Sequence, residues 1–239
     1  MVGASSGGRR WRWLVVGVVT VAVLAVAGPF AYINFIKSDA PAPLTAATTT
    51  PSSPATTQAG QSTGDDPIAG SYSVTSGSQA GYRVKEVLFG QDTEAVGRTS
   101  AVSGQITVDG TRVTAGDFSV DLTTVQSDQS RRDNQFHTRI MDTATYPTAT
   151  FKLAQPIELA SLPADGATIT AKALGQLTLH GTTRQVTVDV SAQRSASSIR
   201  LSGQIPVSFA DWNIPNPSFG PASTEDHGLI EFLLVLARA

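Results

Sequence analysis

The C-terminal part of the chain, residues 70–239, predicts an all-β domain built as an antiparallel up-and-down barrel or a sandwich. Apolar and polar residues alternate with a period of two along short runs, the pattern of strands with one buried face. Asp-Gly and His-Gly pairs separate the runs at the spacing of tight hairpins. Sequential hairpins leave two sticky edges unless the sheet closes on itself. A segment of this length ordinarily folds around one core.

The N-terminal third of the 239-residue chain reads differently. Residues 1–13 carry Arg9, Arg10 and Arg12, and residues 14–36, Leu14 to Ile36, form a nearly unbroken apolar run. At about 1.5 Å per residue a membrane-crossing helix needs about 20 residues, so this run is long enough. Trp11 and Trp13 fall where an interfacial aromatic belt belongs, and three Arg before the run against Lys37 after it predict a cytoplasmic N-terminus. The expectation is a single-pass anchor in the cell membrane with the remaining chain extracytoplasmic. The alternative is a signal peptide cleaved at Ala25-Val26-Ala27, leaving a secreted domain. Residues 37–69, as in Thr48-Thr49-Thr50-Pro51-Ser52-Ser53-Pro54, predict a disordered tether, because they offer almost no large apolar side chain to offset the entropy of ordering.

Within the domain, Tyr82 to Phe89 mixes charged and apolar residues on both faces. Asp109-Gly110 marks a turn, after which Phe118, Val120 and Leu122 alternate with Asp117, Ser119 and Asp121. Ser127 or Asp128 caps a helix, Ser130 to Ile140, that puts Phe136 and Ile140 on one face. Ala149, Phe151 and Leu153 resume the strand pattern, Asp165-Gly166 turns before Ile169, and Leu177 and Leu179 lead into the His180-Gly181 turn. Val186, Val188 and Val190 alternate, as do Ile199, Leu201, Gly203, Ile205, Val207 and Phe209. Pro215 and Pro217 make Asp211 to Pro217 a shaped loop. Leu229 to Leu236 is apolar on both faces except at Glu231, which predicts a covering element on its outer side.

Three blocks stand in order: Arg132-Asp133-Asn134-Gln135-Phe136, Tyr146-Pro147-Thr148-Ala149-Thr150-Phe151 and Leu177-Thr178-Leu179-His180-Gly181-Thr182-Thr183-Arg184. Their collinearity resembles the YceI-like family of polyisoprenoid-binding barrels. The resemblance implies a lipocalin-like barrel whose apolar interior carries an isoprenoid or other long-chain lipid without doing chemistry on it, with the short helix near one barrel end. Asp211-Trp212-Asn213-Ile214 falls where the family often carries a D-(F/W)-x-I signature, and Trp212 there either gates the barrel mouth or packs outside the wall. The first strand departs from the family pattern: Tyr72-Ser73-Val74 supplies no counterpart to its usual His and Ser, and a barrel beginning near Tyr82 is one reading.

Charge and composition exclude other classes. The net charge is −2, with basic residues scattered among acidic ones, so no groove tracks nucleic-acid phosphates. With no Cys and no Gly-x-Ser-x-Gly elbow, no catalytic nucleophile stands out. His137, His180 and His227 lie in separate segments without helical zinc spacing. His180 reads as a turn residue, His137 as facing solvent, and His227 as a surface partner of Glu225-Asp226. The chain is therefore expected to be neither an enzyme nor a metal protein and to need no cofactor.

Alternation nominates Phe118, Val120, Leu122, Phe151, Leu153, Leu177, Leu179, Val207 and Phe209 as the lumen lining, and Arg132, Asp133, Phe136, Ile140 and Trp212 as residues of a mouth or plug. The expected partner is a long-chain isoprenoid lipid or quinone. The competing reading is a barrel filled by its own side chains, acting as a surface interaction module.

Overall fold

Period-two patterning delivers a run of strands: β1 (Gly70–Val74), β2 (Gln79–Leu88), β3 (Gln91–Thr99), β4 (Val102–Asp109), β5 (Arg112–Asp121), β6 (Gln126–Ser127), β7 (Thr148–Leu153), β8 (Ile157–Glu158), β9 (Thr168–Leu179), β10 (Thr182–Ser195), β11 (Ser198–Ser208), β12 (Ala222–Thr224) and β13 (His227–Arg238). The computed structural model describes residues 40–46, 68–160, 163–195, 198–218, 220 and 222–239, and Pro41–Ala239 form one compact unit. The anchor expected at 14–36 and most of the tether lie outside the described residues. Among those described, no helix is long and apolar enough to cross a membrane.

The strands make an antiparallel barrel of eight staves. β1 and β2 lie end to end along one edge of β13, β3 continues into β4, and β5 continues into β6, so three staves are broken in two. β7, β9, β10, β11 and β13 complete the wall, and β13 returns to pair with both β1 and β2. Consecutive staves are neighbours, and closure leaves no edge in the wall, which decides for the barrel over the sandwich.

The barrel begins at Gly70, not near Tyr82. Tyr72 is buried and pairs with Arg238 on one side and Ile106 on the other. The first stave is hidden in the sequence by its break at Thr75–Ser78. The Ser78 hydroxyl mends that break by donating to the Thr75 carbonyl (2.8 Å) and accepting from the Val235 amide (2.9 Å). The breaks in the second and third staves lie side by side, joined through the Thr99 and Thr124 hydroxyls at 2.6 Å.

His180 (φ 47°) and Gly181 (φ 72°) make the two-residue β9–β10 turn, both in the left-handed region that a tight hairpin requires. Asp165-Gly166 turns instead within the longer β8–β9 connection. The helix α1 spans Ser130–Gln135 and runs on as one π-turn, Phe136–Ile140, whose closing bond joins the Met141 amide to the Phe136 carbonyl at 2.9 Å. Its cap is Gln129, not Ser127 or Asp128, and it makes no side-chain capping bond. The Ser127 hydroxyl is engaged elsewhere, donating to the Asp133 carboxylate at 2.6 Å.

β13 does need a cover on its outer face, and the chain's own Pro41–Ala46 provides it. Glu231 points outward yet is fully buried, held by Arg98 (2.6 Å) and Arg83 (3.2 Å). Both guanidinium groups have further donors to satisfy. Arg83 donates to the Pro41 carbonyl (2.6 Å) and Arg98 to the Ala42 carbonyl (2.5 Å), while the Ala46 amide donates to the Ser202 hydroxyl (2.8 Å). These residues are thus not part of a disordered tether. Their backbone carbonyls answer buried cations, an interaction that needs no large apolar side chain and leaves no trace in composition.

Candidate functional site: the barrel lumen

The inward rows of the staves form two apolar clusters. At the helix end, Leu122, Val125, Phe136, Met141, Leu179, Val207, Phe209, Trp212 and Ile214 pack together with Ile140 against them. At the opposite end, Ile68, Tyr72, Ile106, Val108 and Leu236 meet. Along the lumen lies a cavity of about 190 Å³ that reaches the rim away from the helix, where Leu159, Pro163, Arg194 and Ile199 line it. One water needs only about 10–15 Å³, so the lumen is not packed solid by its own side chains.

Cross-strand pairs of a ring with a glycine keep it open. Phe232 lies over Gly203, its register partner, and a Cβ at Gly203 would stand 2.7 Å from that ring. Phe118 lies over its register partner Gly104, and Phe151 reaches diagonally over Gly175. Each ring flattens against the wall where a side chain would otherwise stand. Gly203→Val is expected to push Phe232 into the cavity, lowering stability by roughly 1–3 kcal/mol and weakening any ligand held there. Chemical denaturation checks the first effect, and a wild-type midpoint would show that the ring has another place to go.

Of the nominated lining residues, Phe118, Val120, Phe151, Leu153 and Leu177 line the cavity. Leu122, Leu179, Val207 and Phe209 also face inward but belong to the packed helix end, so they do not line it. Alternation reports the face of a strand and not the level along the barrel axis, which is why the two groups were not separated. Ala171, Ala173, Val188, Val190, Leu201, Ile205, Phe232 and Arg194 line the cavity without having been nominated. The same alternation carries most of them. Phe232 was concealed because β13 is apolar on both faces, and Arg194 because it is charged.

The nominated mouth and plug residues gather at the helix end. Phe136 and Trp212 are buried there and Ile140 packs on them. Trp212 neither gates a mouth nor lies outside the wall. The turn Phe209–Trp212 folds it inward, its carbonyl accepts from His180 Nδ1 (3.2 Å), and the Arg184 guanidinium stands 5.7 Å from its ring centroid. Arg132 pairs with Glu86 (3.1 Å) and with Asp128, and Asp133 accepts from the Ser127 amide (2.8 Å). Both residues secure backbone and wall at the end away from the open rim.

His180 ties its hairpin to the Trp212 turn and meets Tyr146 edge-on at 4.6 Å. His227 bonds Asp226 (2.8 Å) and Glu225 (3.1 Å) at the surface, and the bond to His227 holds the Asp226 carboxyl below its usual range. His137 does not simply face solvent. It is half-buried, edge-on to Phe136 at 5.3 Å, with a buried Nδ1 that has no partner among the described residues. Among the described residues no group of three or more His, Cys, Asp or Glu could hold a metal.

Tyr82 stacks on Phe136 at 5.1 Å, and burial pushes its phenol well above the ordinary value, partly opposed by the nearby Arg132 charge. Because the folded state holds this proton more tightly, its contribution to stability is intact below about pH 10 and is lost as pH rises toward the raised value. Tyr82→Phe should therefore flatten the alkaline limb of the stability profile, measured as denaturation midpoint against pH. An unchanged limb would place the alkaline loss in other groups.

The described residues form an eight-stave antiparallel barrel, plugged by a helix at one end and hollow along an apolar lumen. The sequence profile of the YceI-like domain matches residues 72–236, and the chain belongs to that family. Among solved structures, a polyisoprenoid-binding domain from Saccharophagus degradans, described as implicated in plant cell wall breakdown, is 18% identical; the match covers 72% of this chain and 99% of that one, with a TM-score of 0.57. BcnA of Burkholderia cenocepacia is 22% identical over 64% of this chain and 95% of its own, with a TM-score of 0.49. Comparison with curated proteins finds no match.

Proposed function

We propose that the protein is a lipid carrier that holds a polyisoprenoid or similar long chain in the barrel lumen and does no chemistry on it. The observation that carries this reading is the cavity of about 190 Å³ with an almost wholly apolar lining. Burial of chain carbons contributes about 0.8 kcal/mol per CH2 before the cost of association, so a lumen with few polar groups suffices. The structural relative described as polyisoprenoid-binding supports the choice of ligand class. Quinones, which pair an isoprenoid tail with a neutral head, fall within the same class.

The apolar run at 14–36 would anchor the chain in the cell membrane with the barrel outside the cytoplasm, close to a source of lipid. N-terminal sequencing of the mature protein from its own membrane checks this: an intact Arg-rich start supports the anchor, and a start just after Ala27 means a secreted carrier.

Binding itself is tested by titrating the full chain with an intrinsically fluorescent long-chain polyene. Saturation near one equivalent is expected. A signal that rises without saturating would remove the carrier reading and leave the interaction module.

A further inference from the structure

The cavity-facing row of β10 runs Val188, Val190, Ala192 and ends on Arg194, at the open rim. Arg194 is the one charged side chain among the described residues lining the cavity. It pairs in register with Ile199, another lining residue, so it stands in the inward row and not on the outer face. Its backbone is pinned, because its carbonyl accepts from the Gly166 amide (2.8 Å) while the Gln193 side chain donates to the Gly166 carbonyl (3.1 Å).

Other arginines of the barrel wall are matched: Arg83, Arg98, Arg112, Arg132 and Arg184 each face a carboxylate. Arg194 has no such partner among the described residues. Asp165, on the pinned turn, is exposed and makes no ion pair with it. A half-buried guanidinium at the end of an apolar tunnel is costly to leave unmatched, since the low-dielectric lining strengthens any charge it meets. Its planar fork of donors fits a carboxylate or phosphate in a bidentate manner.

We propose that Arg194 is a head-group site, and that the barrel selects long-chain lipids ending in an anionic oxyanion, carboxylate or phosphate, over neutral lipids with the same chain. This deepens the carrier reading and rests on it. The chain carbons occupy the lumen, and the head stays at the rim in contact with Arg194 and water. Neutral quinone or alcohol heads bring no opposite charge there and lack the bidentate pairing that a carboxylate or phosphate makes with a guanidinium.

The test is native mass spectrometry of the full chain with lipids added in competing pairs at equal concentration: geranylgeranyl phosphate against geranylgeraniol, and palmitate against hexadecanol. The wild type should favour the anion by about tenfold or more in at least one pair. A preference confined to the first pair assigns a phosphate head, and one in both pairs assigns any oxyanion. Arg194→Gln should abolish the preference by lowering anion occupancy far more than alcohol occupancy, and Arg194→Lys should restore part of it. Equal occupancy in the wild type, or a preference that survives Arg194→Gln, overturns the head-group site but spares the carrier. Failure of all four lipids to bind overturns both.

Discussion

Replacing Glu231 with alanine should lower the unfolding free energy by roughly 3–5 kcal/mol, the cost of removing one partner from a buried ion pair. Glu231 has no solvent exposure, and its two oxygens divide the work. One accepts from Arg98 through Nε (2.9 Å) and Nη2 (2.6 Å), the other from Arg83 Nε (3.2 Å). Loss of the carboxylate leaves Arg83, itself buried, with Glu94 at 2.5 Å but with its inner donor unmatched. The same change loosens Pro41–Ala46, whose carbonyls are held by those two arginines. Glu231→Ala should therefore shift the denaturation midpoint down and expose the 41–46 segment to limited proteolysis at protease levels the wild type resists. A wild-type midpoint would mean that the network is stabilised from elsewhere and that the strap is not its dependant.

Val120→Trp should abolish lipid binding with little loss of stability, whereas Leu179→Trp should cost roughly 1–3 kcal/mol through overpacking. The two positions look alike in the sequence, since both are apolar residues on the inward face of an alternating strand. Val120 borders the open cavity, where an indole has room and displaces a ligand. Leu179 is buried beside Phe209 and Trp212 in the filled helix end, where an indole has none. Paired titration and denaturation of both variants separate a hollow barrel from a solid one. Equal destabilisation by the two would show that the lumen collapses around Val120 and that the self-packed module is the better account.

The contrast between these positions shows what could be read from the chain and what could not. Alternation in β5, β7, β9, β10 and β11 revealed the barrel wall and which side chains point inward, because one polar face and one dry face leave a period-two trace. It carried no information about depth along the axis. Leu177 therefore lines the cavity while Leu179, two residues on, belongs to the plug. The openness of the lumen was equally hidden, since it depends on rings such as Phe232 lying over Gly203 across a strand pair, which only the register brings together.

Long-range charge was the other blind spot. Glu231 reads as a defect in an apolar strand until Arg83 and Arg98 arrive from staves far away in the chain. That network in turn explains why Pro41–Ala46, a stretch with no apolar pattern, is ordered. Arg194 obeyed the inward alternation of β10 throughout, and only its charge kept it from being taken as lining.

The most direct test of the carrier account is the mass of the native particle. The full chain, purified from a membrane source and sprayed under native conditions, is expected to carry one lipid, and extraction should identify a long isoprenoid or acyl chain. A protein found at its bare mass, and still bare after incubation with such lipids, would contradict the account and make the barrel an interaction module.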